Sequence, residues 1–150
     1  QYQLTPARPS HAALLPGGEM VRYSHGSLGA LRRLLEKHWD AAGGVLVVPD
    51  GVFSMEGNIV ELPSVVALAQ EYGARVMVDD AHAIGVLGEF GGGTAQHFGI
   101  EGQVDLVMAT FSKSFASIGG AAAASARVAG KVRRVNLALR SVLEELFHSC

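Results

Sequence analysis

Residues Arg75–His82 read R-V-M-V-D-D-A-H, a short apolar run that ends in two acids and a histidine. Continuous apolar runs of this length, rich in valine, are typical of strands covered on both faces of a parallel sheet. Similar runs occur at Val45–Val48 and at Leu106–Ala109. Three such runs predict a sheet whose strands follow one another along the chain.

Helical periodicity fills the sequence around these runs. Leucines recur at helical spacing after Ser27, which predicts a helix from Leu28 to about Trp39. A second helix is bounded by Pro63 in its first turn and by Gly73 after its end. A third is predicted from Gly130 to about Phe147. Strands separated by helices indicate an α/β fold in three layers, a mostly parallel sheet with helices on both faces.

Composition excludes several classes of protein. The 150 residues are 49% hydrophobic and 17% charged, with 12 Lys and Arg against 14 Asp and Glu. This balance predicts a buried core and excludes a disordered tail or a nucleic-acid-binding arm. The single cysteine, Cys150, excludes a disulfide scaffold. Without an apolar run of about 18 residues or a signal-peptide pattern, we expect a cytoplasmic protein with no membrane segment.

Polar side chains follow each of the three runs, and ligands of parallel sheets bind beyond the carboxyl ends of the strands. Acid, hydroxyl, imidazole and amine groups are therefore expected at one edge of the sheet. In chain order these residues are Asp50, Ser54, Asp79, Asp80, His82, Thr110, Ser112 and Lys113.

Lys113 is one of only three lysines, and it is the one that directly follows a predicted strand. Among hydroxyl and aromatic neighbours, a partly desolvated lysine can serve as an amine nucleophile. The alternative is a solvated lysine at the start of a loop.

Asp79 and Asp80 are adjacent, so their side chains point in opposite directions and do not form an acid/base dyad. We expect one to face the site and the other to face solvent or a helix. His82 adds an imidazole, but no third ligand lies at a spacing suited to a metal, so no metal site is predicted. An aspartate, a histidine and Thr-x-Ser-Lys suit pyridoxal phosphate, whose pyridine nitrogen, aldehyde and phosphate require a carboxylate, an amine and hydroxyls. A nicotinamide site is disfavoured, because the glycines of Gly88–Thr94 do not follow a strand.

Four motifs carry a resemblance to a known family. They are D-G-V-F-S-M-E-G at Asp50–Gly57, V-D-D-A-H-A-I-G-V-L-G at Val78–Gly88, G-G-G-T-A-Q-H-F-G at Gly91–Gly99 and T-F-S-K-S-F-A-S-I-G-G at Thr110–Gly120. In this order they resemble the α-oxoamine synthases, fold-type I pyridoxal-phosphate enzymes. The resemblance implies a transferase that condenses an amino acid with an acyl-CoA, in most members with loss of carbon dioxide, and that is a homodimer in its full-length form.

The resemblance also implies a role for each matching residue. Lys113 would hold pyridoxal phosphate as a Schiff base and act as the proton-transfer base. Asp79 would pair with the pyridine nitrogen, and His82 with the phenolic oxygen. The remaining cofactor contacts would come from Thr110, Ser112, Ser54 and His11.

The chain departs from the family pattern in length and in three places. We expect it to be the central part of the large, cofactor-binding domain, without the family's N-terminal part or C-terminal small domain. Within it, residues 1–20 would form an irregular edge, 21–120 the motif-bearing core and 121–150 a C-terminal helical segment. His25-Gly26-Ser27 replaces His-Asn-Asp, Gly92 replaces an arginine, and Ala121–Ala124 replaces a strand that contains an aromatic residue.

Two other functions stay open on the sequence. One is another fold-type I enzyme such as an aminotransferase, which the S-M-E-G and D-D-A-H motifs disfavour. The other is a truncated, inactive homologue that serves as a binding or pairing module, which the departures at residues 25–27 and the alanine run favour.

Overall fold

The computed structural model of the protein describes residues 21–24, 26–40, 44–124 and 128. The predicted irregular edge at 1–20, with His11, lies outside the described residues, as do His25 and the predicted helix at 130–147.

The described residues form an α/β fold around one four-stranded sheet. The elements in chain order are α1 (Leu28–His38), β1 (Leu46–Val47), α2 (Leu62–Glu71), β2 (Arg75–Asp79), α3 (Thr94–His97), a 3₁₀ turn (Glu101–Gln103), β3 (Leu106–Thr110) and β4 (Gly120–Ala124). Strands β1, β2 and β3 are parallel neighbours, and β4 pairs antiparallel with β3. The predicted α/β fold with a mostly parallel sheet is confirmed.

Helix α1 begins where the sequence predicts. The Ala30 N–H donates to Ser27 Oγ (3.2 Å), a side-chain cap that fixes the first turn. Leu31 and Leu35 are buried, whereas Leu28 is 37% exposed. The apolar stripe of α1 therefore packs inward along one narrow face.

Helix α2 supplies most of the core. Its start accepts Pro63, and Gly73 follows its end with a φ of +64°. Five of its ten residues are buried, namely Leu62, Val65, Val66, Leu68 and Ala69. They belong to the same cluster as the buried valines Val47, Val76 and Val78 of β1 and β2. The core thus lies between α2 and these two strands, and it leaves their carboxyl ends free to carry polar groups.

Strand β4 differs from the sequence prediction. The sequence prediction places the Ala121–Ala124 run within a C-terminal helical segment, 121–150, and alanine does have an intrinsic preference for helices. In the structure it pairs with β3 along its whole length, from Leu106 opposite Ala124 to Thr110 opposite Gly120. Ladder hydrogen bonds with a neighbouring strand override the weak intrinsic preference of alanine here. None of the helices within the described ranges is long and apolar enough to cross a membrane.

Candidate active site

The carboxyl ends of β2 and β3 bring an imidazole and an amine together. Met108 of β3 lies opposite Asp79 at the end of β2. The chain continues from β2 to His82 and from β3 to Lys113. Lys113 Nζ lies 2.5 Å from His82 Nε2, within hydrogen-bond distance. Two residues 31 positions apart in the sequence therefore share one hydrogen bond at the edge predicted to carry the site.

Asp79 is held firmly at this edge. It is 8% exposed, and its Oδ1 accepts a hydrogen bond from the Ala81 N–H (3.0 Å). Its own N–H donates to Pro49 O (2.9 Å), and its carbonyl accepts from the Gly51 N–H (2.8 Å). The two backbone bonds fix the position of Asp79, and the bond from Ala81 orients one of its carboxylate oxygens.

Asp50 is a site residue to which sequence reasoning gave no role. It pairs with Asp79 in an isolated parallel bridge beyond β1. Burial raises the pKa of Asp50, the charge of Asp79 raises it further, and the charges of His82 and Lys113 oppose the shift. Asp50 is therefore close enough to Asp79, His82 and Lys113 for their charges to influence its protonation. The signal in the sequence is its position two residues past the apolar run that ends at Val48, directly after Pro49.

Asp80 faces away from this cluster. The sequence predicted that this acid would face either solvent or a helix. Asp80 is fully buried and points to the start of helix α3, so the helix is correct and solvent is wrong. Its Oδ2 accepts from the Thr94 N–H (2.9 Å) and its Oδ1 accepts from Thr94 Oγ1–H (2.6 Å). Burial raises the pKa of Asp80, and both hydrogen bonds from Thr94 oppose that shift. Sequence reasoning found the alternation of the two acids but not the partner of the second.

Two hydroxyls stand at the start of the loop that carries Lys113. Thr110 Oγ1 and Ser112 Oγ lie 2.9 Å apart. The loop is closed by backbone bonds from the Phe111 N–H to Gly119 O (2.9 Å) and from the Ser117 N–H to Phe111 O (2.8 Å). Because Ser112 is exposed and Thr110 is partly so, both hydroxyls are accessible to an anionic ligand.

The structure does not bring every predicted residue to this cluster. Ser54 lies in an exposed turn after β1, and in the described part of the chain no hydrogen bond joins it to His82 or Lys113. His11 lies outside the described residues. Among the described residues, no group of three or more His, Cys, Asp or Glu side chains is arranged to hold a metal ion.

Comparison with known proteins identifies relatives of this chain. The family model of aminotransferase class I and II matches residues 10–142. Serine palmitoyltransferase (SPT) of Sphingobacterium spiritivorum is 48% identical over 123 residues, which cover 79% of this chain and 31% of that protein. The 8-amino-7-oxononanoate synthase of Geobacter sulfurreducens is 47% identical over 126 residues, which cover 81% of this chain and 32% of that protein.

A solved structure of a related protein has the same fold over most of this chain. SPT with a PLP internal aldimine superposes with a TM-score of 0.70 at 40% identity, over 75% of this chain and 28% of that chain. The chain spans about a third of the length of the curated relatives it matches. The resemblance seen in the four sequence motifs is thus confirmed by relatives of the α-oxoamine synthase type. The chain belongs to the aminotransferase class I and II family.

Proposed function

We propose that this chain carries the cofactor-binding core of a pyridoxal-phosphate-dependent acyltransferase of the α-oxoamine synthase type. The observation that carries the proposal is the Lys113–His82 hydrogen bond (2.5 Å) at the ends of two parallel strands, beside the buried Asp79. The related SPT structure holds PLP as an internal aldimine. Identities of 47–48% with an SPT and an 8-amino-7-oxononanoate synthase further support this reaction class.

The side chains of the site fit pyridoxal phosphate. Lys113 offers an amine to the aldehyde of the cofactor. Asp79, a residue that is only 8% exposed, offers a carboxylate to the pyridine nitrogen. His82 offers an imidazole to the phenolic oxygen. The neighbouring hydroxyls of Thr110 and Ser112, 2.9 Å apart, offer donors to the phosphate. When bound, the cofactor supplies an electron sink that stabilises a carbanion at Cα of an amino acid.

Each residue then has a limited task. Asp79, fixed by the Ala81 N–H, keeps a positive charge on the ring nitrogen because an opposite charge favours the protonated form. Lys113 would anchor the cofactor and would move the proton at Cα of the substrate. His82 lies within hydrogen-bond distance of the Lys113 amine, so it orients that amine.

The substrates of the proposed reaction are an amino acid and an acyl-CoA. In a reaction of this type the acyl group would be transferred from the thioester to Cα, the carbon–sulfur bond would break, and coenzyme A would leave as its thiol with the proton removed from Cα. We further propose that the enzyme works in the cytoplasm and that its full-length form is a homodimer; the family resemblance implies the second of these.

A second candidate is an inactive homologue that still binds the cofactor. It is favoured by Gly92, which stands where the family pattern has an arginine. A missing positive charge near the glycine-rich loop would weaken the binding of an anionic substrate.

One experiment distinguishes these functions. The chain is mixed with pyridoxal phosphate, and the near-visible absorbance band of the lysine-bound cofactor is recorded for the parent, Lys113→Ala and Lys37→Ala. We expect a band in the parent and in Lys37→Ala, whose lysine is exposed on α1, and its loss in Lys113→Ala. Release of the coenzyme A thiol is then followed with glycine, alanine or serine and an acyl-CoA. A band without thiol release identifies the inactive homologue, and no band in the parent refutes cofactor binding.

A further inference from the structure

We infer that Asp80 is a positioning residue: paired with Thr94, it holds the turn that carries His82 and so sets the Lys113–His82 contact. The His82 turn is defined here as residues 81–87, and the lysine loop as residues 111–119. The catalytic consequence of this inference rests on the proposed function, but the geometry that it describes belongs to the protein without cofactor.

Asp80 joins three parts of the fold with its polar atoms. Its N–H donates to Met108 O in β3 (2.8 Å). Its carbonyl accepts from the Ala83 N–H (3.0 Å) and the Ile84 N–H (2.9 Å), both in the His82 turn. Its carboxylate accepts two hydrogen bonds from Thr94 at the start of α3. Asp80 therefore fixes the turn relative to the strand that leads to Lys113.

The surrounding backbone packs directly onto the Asp80 carboxylate. A Cβ atom added at Gly51 would overlap Asp80 Oδ1 and Thr94 Oγ1, and one added at Gly93 would overlap Asp80 Oδ2. Gly93 also has a φ of +90°, which side chains other than glycine rarely adopt. A buried carboxylate is unfavourable unless its oxygens are hydrogen-bonded. The Asp80–Thr94 pair is thus a closely fitted contact with little room to shift.

The His82 turn contacts the lysine loop at more than the His82 ring. Ser114 Oγ, next to Lys113, donates to Ile84 O (2.7 Å). A Cβ atom at Gly85 would lie 3.0 Å from Ser114 Oγ and 3.3 Å from Phe115 Cζ, so the two segments are in close contact. Residues 112–119 are otherwise exposed. A movement of the turn would therefore displace both partners of the Lys113–His82 contact.

The test compares Thr94→Val with Thr94→Ser in the protein without cofactor. Valine keeps the shape and the N–H but removes the hydroxyl donor, whereas serine keeps both donors. We expect amide hydrogen exchange in the His82 turn and in the lysine loop to become about fivefold faster in Thr94→Val, the factor that one typical hydrogen bond contributes. Exchange in α1 should not change, and Thr94→Ser should behave as the parent.

A second measurement follows the lysine itself. A short pulse of acetic anhydride labels amines, and mass spectrometry gives the ratio of acetylation at Lys113 to that at Lys37. Because the contact with His82 restrains the Lys113 amine, we expect this ratio to rise about fivefold in Thr94→Val and to stay at the parent value in Thr94→Ser.

The outcomes separate positioning from simple stabilisation. If Thr94→Val lowers the free energy of unfolding while exchange in the lysine loop and the acetylation ratio keep their parent values, the inference is refuted. If the ratio and the exchange both rise but the parent shows no cofactor band, the positioning role stands and the proposed function fails.

Discussion

Gly51→Ala is the substitution whose effect follows most directly from the structure. Gly51 is buried, and the new methyl group would overlap Asp80 Oδ1 and Thr94 Oγ1 and lie 3.2 Å from Thr94 Cβ. Gly51 does not have a positive φ, so the backbone conformation itself accepts alanine. The predicted destabilisation therefore comes from the overlap alone.

Its size follows from two contributions. Overpacking of a closely packed site costs about 1–3 kcal/mol. Forcing Thr94 Oγ1 away from Asp80 leaves a buried acceptor without one of its donors, which costs about 1–3 kcal/mol more. Together these contributions should lower the free energy of unfolding by about 2–6 kcal/mol. With a urea m-value of about 1.5–2 kcal/mol/M, the unfolding midpoint should fall by about 1–4 M.

The assay is urea unfolding followed by circular dichroism, with Gly102→Ala as the matched control. Gly102 also lacks a positive φ, and a Cβ atom there has nothing within 4 Å. The control should stay within about 0.5 kcal/mol of the parent. A Gly51→Ala variant as stable as Gly102→Ala would refute the close packing around the Asp80 carboxylate.

Four further substitutions test the core, the electrostatics and the surface. Leu62→Ala, at a fully buried position, should lower the free energy of unfolding by about 2–5 kcal/mol in the same assay. Asp50→Asn should stabilise the protein at pH 7 but not below about pH 3.5, as measured by urea unfolding at both pH values. Burial and Asp79 raise the pKa of Asp50 in the folded state, so the parent protein loses stability as the pH rises and this carboxyl ionises. Arg75→Ala should change thermal stability by less than about 1 kcal/mol, because the Arg75 side chain is 57% exposed in its ion pair with Asp105. Asp105→Ala should cost about 1–3 kcal/mol, because a backbone N–H of β2 also loses its acceptor.

Local patterns were sufficient to predict most elements of the fold. Continuous apolar runs predicted β1, β2 and β3 to within one residue. In the described residues only one face of these strands is well buried, since Val47, Val76 and Val78 are buried whereas Leu46 is 48% exposed. The capping Ser27 and the glycine at position 73 likewise marked the ends of helices. The alanine strand β4 was not predictable in this way, because its pairing with β3 depends on a partner and not on its own composition.

The candidate site likewise contains residues that local sequence position predicted and residues that depend on contacts between distant segments. Asp79, His82 and Lys113 were predicted because each follows a strand end, and parallel strands carry such residues to one edge. The role of Asp80 was missed, since its partner Thr94 lies 14 residues away beyond a glycine-rich passage. The proximity of Asp50 to Asp79 needed the register between strands, which the sequence does not state.

Borohydride reduction is the most direct test of Lys113 as the cofactor-binding lysine. The chain is incubated with pyridoxal phosphate, reduced with borohydride to make the linkage permanent, and digested for mass spectrometry. With only three lysines, at 37, 113 and 131, each site is resolved as a separate peptide. We expect the pyridoxyl group on Lys113, with Lys37 labelled many times less. Equal labelling of Lys37 and Lys113, or labelling of Lys37 alone, would contradict a specific site at the ends of β2 and β3.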